Sequence, residues 1–195
     1  MKKPASFRSP FLRTASFALA ALFLSAAVCS EETPSTRPNI LLLLADNWAW
    51  PHASACGDKS VSTPTFDSIA KNGVHFRSTF CQVPSCSAAR AVLLTGQAMH
   101  RLGEAANLWG RFPAQLQVYP QLLEKNGYTT GYTIKGWAPG FYKGKKNSSV
   151  NPAGKKHASF AAFLKKVPAG KPFCFWFGSH DPHQPWNRGD DFRTG

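Results

Sequence analysis

The stretch N-I-L-L-L-L-A-D, residues 39–46, is a continuous apolar run that ends in a carboxylate. A run of this kind is typical of a strand buried on both faces, as in the parallel sheets of α/β proteins. Two further strands are predicted, one at residues 129–134 (TTGYTI) and an aromatic one within residues 171–183. Helical patterns lie between them. The alternation predicts an α/β fold with a mainly parallel sheet and helices on both faces.

The helical patterns carry start and stop signals. They occur at residues 63–76, 86–96, 119–128 and 157–167. The first begins at a Thr-Pro pair and ends at Asn-Gly, and the second is closed by Gly96. With 195 residues, 43% of them hydrophobic, the chain is long enough for one domain with a real core.

Residues 1–29 have the features of an export signal. Basic residues precede a short apolar run at 15–28, which is too brief for a comfortable membrane span. We therefore expect a signal peptide at 1–29, a polar linker at 30–38 and a folded part at 39–195, in a periplasmic or extracellular protein. Cys29 allows a lipoprotein alternative, which would be the only route to a membrane, but Val28 fits a lipobox poorly.

The charge is strongly positive, with 23 basic and 10 acidic residues. Without residues 1–29 the remainder carries 19 basic residues against the same 10 acidic ones, a net charge of +9. This excess favours polyanionic partners, although nothing resembles a nucleic-acid-binding module. Seven lysines fall within residues 143–166. They are either a solvated surface or a rim that attracts an acidic polymer.

Polar side chains follow three of the predicted strands. Asp46 and Asn47 end the first strand, Lys135 follows the second, and His180 and His183 follow the third. Ligands of parallel sheets gather beyond the carboxyl ends of the strands, so these side chains are expected at one site. Asp46 and Asn47 offer oxygen ligands suited to Ca²⁺ or Mg²⁺, although Asp-Asn after a strand also forms turns and helix caps.

A cysteine and an arginine lie one helical turn apart at the start of the helix at 86–96. Cys86 and Arg90 therefore share a helix face, beside backbone N–H groups that favour anions. The same field favours a thiolate, and a guanidinium suits sulfate or phosphate. The alternative is a small buried cysteine with an exposed arginine. The mature chain has no zinc-type cysteine pairing, and if Cys86 is catalytic the other three cysteines allow at most one disulfide.

At this point the sequence resembles the sulfatase family of the alkaline-phosphatase superfamily. The segment C-S-A-A-R-A-V-L-L-T-G at 86–96 is similar to the family signature, with Ala88 at a position where the family has proline. R-P-N-I-L-L-L-L-A-D-N, G-Y-T-T-G-Y-T-I-K-G-W-A-P-G and F-W-F-G-S-H-D-P-H-Q-P-W resemble its metal-binding, lysine-bearing and histidine-bearing segments, in family order. Within the family, the sulfamidase-like branch is the one that the segment H-R-L-G-E-A-A-N-L-W-G most resembles.

The resemblance implies an alkaline-phosphatase-like fold and a sulfuric ester hydrolase. A maturase would convert Cys86 to formylglycine, whose hydrate is the nucleophile. Asp46, Asn47 and the modified Cys86 would hold Ca²⁺, or Mg²⁺. Arg90 would stabilise developing charge, Lys135 and His180 would bind sulfate, His180 would protonate the leaving oxygen, and His183 would support the site or contact substrate. The implied substrate is an O- or N-sulfated carbohydrate.

Several features depart from the family pattern. Asn47 replaces a second aspartate, and Trp137 and Ala138 stand where the family has a histidine after the active-site lysine. Family members are much longer, and their later part supplies further metal ligands and a second lysine. We therefore expect the N-terminal portion of a sulfatase, apparently truncated. The alternatives are a non-catalytic sulfatase-like protein that binds sulfated polymer, or a phosphate or phosphonate ester hydrolase.

Overall fold

The computed structural model describes residues 37–142 and 150–185. The expected signal peptide at 1–29, most of the linker at 30–38, and the lysines at 143–146 lie outside the described residues. Within the described ranges, we find no helix with the length and apolar character that a membrane span requires.

Three strands form a parallel sheet in the order β1-β5-β3, and two short parallel strands form a separate ladder. The strands are β1 Ile40–Leu44, β2 Arg111–Phe112, β3 Thr129–Ile134, β4 Phe141–Tyr142 and β5 Phe173–Gly178. The three strands predicted from apolar runs are the three strands of the main sheet. Leu44 and Ile134 both align with Gly178, so the carboxyl ends of all three strands meet at one edge.

Four α-helices connect the strands: α1 Pro64–Asn72, α2 Cys86–Thr95, α3 Tyr119–Lys125 and α4 Phe160–Leu164. Short 3₁₀ segments occur at Ser54–Cys56, Met99–Arg101 and Gly103–Ala106. Helix α2 ends as predicted, because Gly96 adopts a left-handed φ of 64° that favours glycine. Helix α4 is shorter than the predicted range 157–167. Lys156 bridges Tyr132 of β3, and the Ser159 side chain then caps the helix by accepting from Ala162 N.

Helices pack on both faces of the sheet, as predicted. Successive residues of β5 point to opposite faces. Trp176 joins the main hydrophobic core, which includes Ala91 and Leu94 of α2. Phe175 faces α4 instead, with 4.6 Å between its ring centroid and that of Phe163. Helices α2 and α4 therefore pack on opposite faces of the sheet.

The expectation that the first strand is buried on both faces is wrong. Strand β1 lies at an edge of the sheet and pairs with β5 alone among the described residues. Three of its side chains are 39–52% exposed, namely Ile40, Leu41 and Leu43. Among the described residues, no strand or helix covers these apolar side chains. The cysteines of the described part, Cys56, Cys81, Cys86 and Cys174, are all free thiols.

Candidate active site

The carboxyl ends of β1 and β3 bring Asp46 and Lys135 together. The Asp46 backbone N–H donates to the carbonyl of Asp181 at 3.0 Å, and the Lys135 N–H donates to that of Gly178 at 3.1 Å. These bonds tie the ends of β1 and β3 to the end of β5 and the turn that follows it. The Lys135 ammonium donates to Oδ2 of Asp46. The sequence predicted that these strand ends meet, although Asp46 and Lys135 are 89 positions apart in the chain.

Asp46 is the electrostatic centre of the site. It is 4% exposed and faces two cations, because Arg90 Nη2 lies 3.7 Å from its Oδ1 while Lys135 contacts Oδ2. Burial acts to raise the pKa of Asp46, but the hydrogen bond and charge of Lys135, with smaller contributions from Arg90 and His183, leave that pKa below its usual value. The carboxylate is therefore held ionised.

Cys86 is the first residue of α2 and points toward Asp46. Its Sγ lies 3.7 Å from Oδ1 of Asp46. Ser85 precedes the helix in an extended conformation and its side chain makes no capping hydrogen bond. The first N–H groups of α2 therefore remain available beside Cys86. This is an arrangement in which an anion at the side chain of residue 86 would meet backbone donors.

Arg90 is buried between α2 and the end of β3. Its Nη1 donates to the carbonyls of Lys135 and Gly136, both at 2.9 Å, and its guanidinium lies 5.6 Å from the Trp176 ring centroid. Burial lowers the pKa of Arg90, and the charges of Asp46 and Cys86 oppose that shift. The alternative of an exposed arginine beside the cysteine is wrong, since Arg90 is 3% exposed. Its Nη1 holds the backbone that carries Lys135, a role that the spacing of Cys86 and Arg90 does not indicate.

Trp137 and Asn151 support this arrangement from the core, and neither was foreseen. Trp137 Nε1 donates to the Ser87 carbonyl at 3.0 Å, which links the end of β3 to the first turn of α2. Asn151 fixes Trp137 in turn, because its Oδ1 accepts from the Trp137 N–H and its Nδ2 donates to the Trp137 carbonyl. The tryptophan that replaces the expected histidine is thus a fully buried positioning residue. Its apolar ring in a polar stretch was the only available signal.

The two predicted histidines are placed differently. His183 is half-buried, and a ligand atom of its ring lies within 4.8 Å of those of Asp46 and Cys86. His180 is exposed and stands outside that group, although its carbonyl accepts from the His183 N–H at 2.9 Å. Asn47 is exposed, with a left-handed φ of 62° that asparagine tolerates. The structure thus brings together Asp46, Cys86, Arg90, Lys135 and His183.

The order and geometry of these segments agree with a match to a known family. A model of the Sulfatase family matches residues 38–195. The chain belongs to the sulfatase family. This sulfatase chain is 30% identical to the N-sulphoglucosamine sulphohydrolase of Homo sapiens and 25% identical to an N-acetylglucosamine-6-O-sulfatase of Bacteroides thetaiotaomicron, with 86% of the chain aligned in each case. It is 37% identical to the N-acetylgalactosamine-6-sulfatase of Canis lupus familiaris over 56% of the chain.

Solved structures share the fold. One, solved in complex with its substrate D-glucosamine-2-N,6-O-disulfate, superposes with a TM-score of 0.61 at 23% identity, over 77% of this chain and 36% of that one. The phosphonate monoester hydrolase of Agrobacterium radiobacter superposes with a TM-score of 0.56 at 19% identity, over 76% and 42%. The fold of this sulfatase chain is therefore alkaline-phosphatase-like. The chain spans only 35% of the length of the human and Bacteroides relatives.

Proposed function

We propose that this chain supplies the nucleophile-bearing part of a sulfuric ester hydrolase that removes O- or N-sulfate groups from carbohydrate. The observation that carries the proposal is the meeting of Cys86, Asp46, Arg90 and Lys135 at the carboxyl edge of the sheet. At this edge Cys86, at the start of α2, faces the buried carboxylate of Asp46, which is flanked by two cationic side chains. The names of the human, canine and bacterial relatives, all carbohydrate sulfatases, support the substrate class.

The nucleophile in this proposal is formylglycine derived from Cys86. We propose that a maturase oxidises the thiol, as the surrounding sequence at 86–96 suggests, and that the resulting group supplies the oxygen that attacks sulfur. Cys86 is half-buried at the end of a helix, with its Sγ directed at Asp46. The free N–H groups of the first helical turn are the chain's own donors to negative charge at this position.

The donor set of the site fits a hard divalent cation such as Ca²⁺. Asp46 contributes a buried ionised carboxylate, and Asn47 can add an amide oxygen next to it in the chain. These two residues and the modified Cys86 would hold the ion, which would act as a Lewis acid toward the sulfate and its nucleophile. The ring nitrogen of His183 is not a ligand that Ca²⁺ prefers, so we assign His183 to the substrate side.

The remaining residues have roles that follow from their contacts. The Lys135 ammonium, which donates to Asp46, has three N–H donors and can also donate to a sulfate oxygen that binds beside it. Arg90 fixes the backbone of Lys135 and Gly136 while its charge faces the same carboxylate. His183 is the ring nearest to the nucleophile and can donate to the leaving oxygen, and exposed His180 is the second candidate for that proton transfer.

The test is mass spectrometry of residue 86 together with turnover assays. The chain is expressed with a formylglycine-generating maturase in an exporting host and assayed on aryl sulfate, aryl phosphate and a sulfated glucosamine. We expect an aldehyde at residue 86 and sulfate release that Cys86→Ala abolishes. Unmodified thiol and no sulfate release would favour the non-catalytic alternative, and faster turnover of aryl phosphate would favour the phosphate ester hydrolase.

We also propose that the protein is exported to the periplasm or the extracellular space. The support is the basic start, short apolar run and following polar stretch within residues 1–38. The amino-terminal residue of the purified exported protein, read by mass spectrometry, tests this proposal. An intact Met1 in the cell-associated fraction would contradict it, and a lipid on Cys29 would establish the anchored alternative.

A further inference from the structure

The distribution of charge along the chain changes sharply after Glu124. From Lys125 to His180 the sequence contains ten lysines and no aspartate or glutamate. Four of these lysines fall in the described part around α4, and all four are exposed: Lys155, Lys156, Lys165 and Lys166. We call these four residues the basic face. No ion pair involving any of them occurs within residues 37–142 and 150–185.

The fold brings the two lysine pairs of the basic face together beside the β3 edge of the sheet. Lys155 and Lys156 run beside β3, where the Lys155 carbonyl accepts from the Tyr132 N–H at 3.0 Å. Lys165 and Lys166 follow α4. The two segments are joined through His157, whose ring lies 5.1 Å from that of Phe163 in α4. In agreement with this proximity, burial and then the charges of Lys166 and Lys155 lower the pKa of His157.

The basic face is separate from the candidate active site. His157 and Phe163 pack on the face of the sheet that bears Phe175, while Arg90 lies over Trp176 on the opposite face. Along β3, Lys156 is paired with Tyr132, which precedes Lys135 by three residues, a rise of roughly 10 Å. Lys156 shares the register of Tyr132 and Trp176, so this distance along β3 is what separates the basic face from the site. At this distance the basic face can contact sulfated units of the same polymer other than the one that faces Cys86.

We infer that the basic face is a second binding site for a sulfated polysaccharide, holding the polymer at sulfate groups other than the one being hydrolysed. The inference rests on the proposed carbohydrate sulfatase function. The four lysines form no ion pair among the described residues, and a polyanion that binds them releases its condensed counterions. Contact with all four lysines of the basic face requires several adjacent sulfate groups. A sulfated polymer supplies these groups more readily than a single sulfated sugar does.

The test is the affinity of the Cys86→Ala chain for a heparin hexasaccharide, measured by titration calorimetry at several salt concentrations. Cys86→Ala cannot turn over substrate, so binding is read independently of sulfatase activity. Replacing the four lysines of the basic face by serine should weaken binding about tenfold or more and flatten its salt dependence. The charge-matched control replaces four exposed basic residues elsewhere by serine: Lys59, Lys71, Arg77 and Arg101. It should change the affinity by less than about threefold.

A second variant distinguishes a loss of binding from a loss of folding. Replacement of the same four lysines by arginine keeps the charge and should retain the hexasaccharide affinity. The inference is overturned if the serine variant and its control weaken binding equally, since net charge alone would then explain the effect. It is also overturned if duplex DNA or phosphatidylserine vesicles bind the unsubstituted face as tightly as the hexasaccharide. Tight binding with no sulfate release from the Cys86-containing protein would leave this inference standing and remove the proposed hydrolase function.

Discussion

The Lys135 ammonium donates to Oδ2 of Asp46 at the meeting point of two strands that are 89 residues apart in the chain. The carboxylate is 4% exposed, so its charge is compensated within the protein by Lys135 and, at 3.7 Å, by Arg90. A cation that binds Asp46 would have to share this carboxylate with Lys135. The ion pair therefore links the stability of the sheet edge to the binding of the proposed cation.

Lys135→Met should destabilise the chain by about 3 kcal/mol, because it leaves the buried charge of Asp46 with only the more distant Arg90. Urea unfolding followed by tryptophan fluorescence measures this. The double variant Asp46→Asn/Lys135→Met should lose less than the sum of the two single variants. Lys156→Met is the matched control at an exposed lysine and should stay within about 0.5 kcal/mol of the original chain. Equal effects at positions 135 and 156 would contradict the ion pair.

Lys135→Met should also increase the affinity for Ca²⁺, since the ammonium no longer occupies Asp46. Calorimetric titration of Ca²⁺ into the two proteins measures this directly, without any activity assay. An unchanged or weaker affinity in the variant would show that Lys135 does not compete with the ion.

Arg90→Lys should destabilise the chain by roughly 2–4 kcal/mol despite its conserved charge. In Arg90, Nη1 donates to the carbonyls of Lys135 and Gly136 while Nη2 faces Oδ1 of Asp46. A lysine has a single nitrogen, which cannot make both carbonyl bonds and face the carboxylate from the same position. Thermal and urea unfolding report the loss. Arg101→Lys, at an exposed arginine, is the control, and a comparable loss there would argue against a specific role of the two Arg90 nitrogens.

Stability should fall on acidification partly because of His157. Its folded-state pKa lies below the ordinary value of 6.5, chiefly through burial and then through Lys166 and Lys155. Below pH 6.5 the unfolded chain therefore binds a proton that the native imidazole does not, and the free energy of unfolding decreases until the folded pKa is passed. His157→Leu should flatten the profile of unfolding free energy between pH 7 and pH 5, whereas His100→Leu at an exposed histidine should not. Parallel slopes in all three proteins would refute this assignment.

The thiols should differ in reactivity, which matters for any test of Cys86. Burial raises the pKa of Cys174 to about 11, and this residue is 3% exposed, while Cys81 is exposed. At pH 8 iodoacetamide should therefore label Cys81 in the native chain and label Cys174 only after unfolding in urea. Peptide mass spectrometry with time reads both sites. Native labelling of Cys174 as fast as that of Cys81 would contradict the packing of β5.

The sequence predicted the main sheet because its three strands are short apolar or aromatic runs bounded by polar residues. It also predicted that Asp46 and Lys135 belong to one site, since the carboxyl ends of parallel strands share an edge, whereas Cys86 and Arg90 at the start of α2 were added by the resemblance to sulfatases. Local patterns failed where packing decided the outcome. The exposure of β1 depends on what lies beside it, and the shortening of α4 depends on the pairing of Lys156 with Tyr132.

What the sequence by itself determined was the order of segments and the types of side chain: a carboxylate after a strand, a cysteine and an arginine one helical turn apart, and a run of lysines without acids. Only the tertiary structure decided which of these groups meet. In the tertiary structure, Nη1 of Arg90 donates to backbone carbonyls, and His183 lies beside Cys86 while His180 is exposed. Trp137 is buried and links β3 to α2. The physical reason is that hydrogen-bond direction and burial depend on neighbours far along the chain, which no local spacing records.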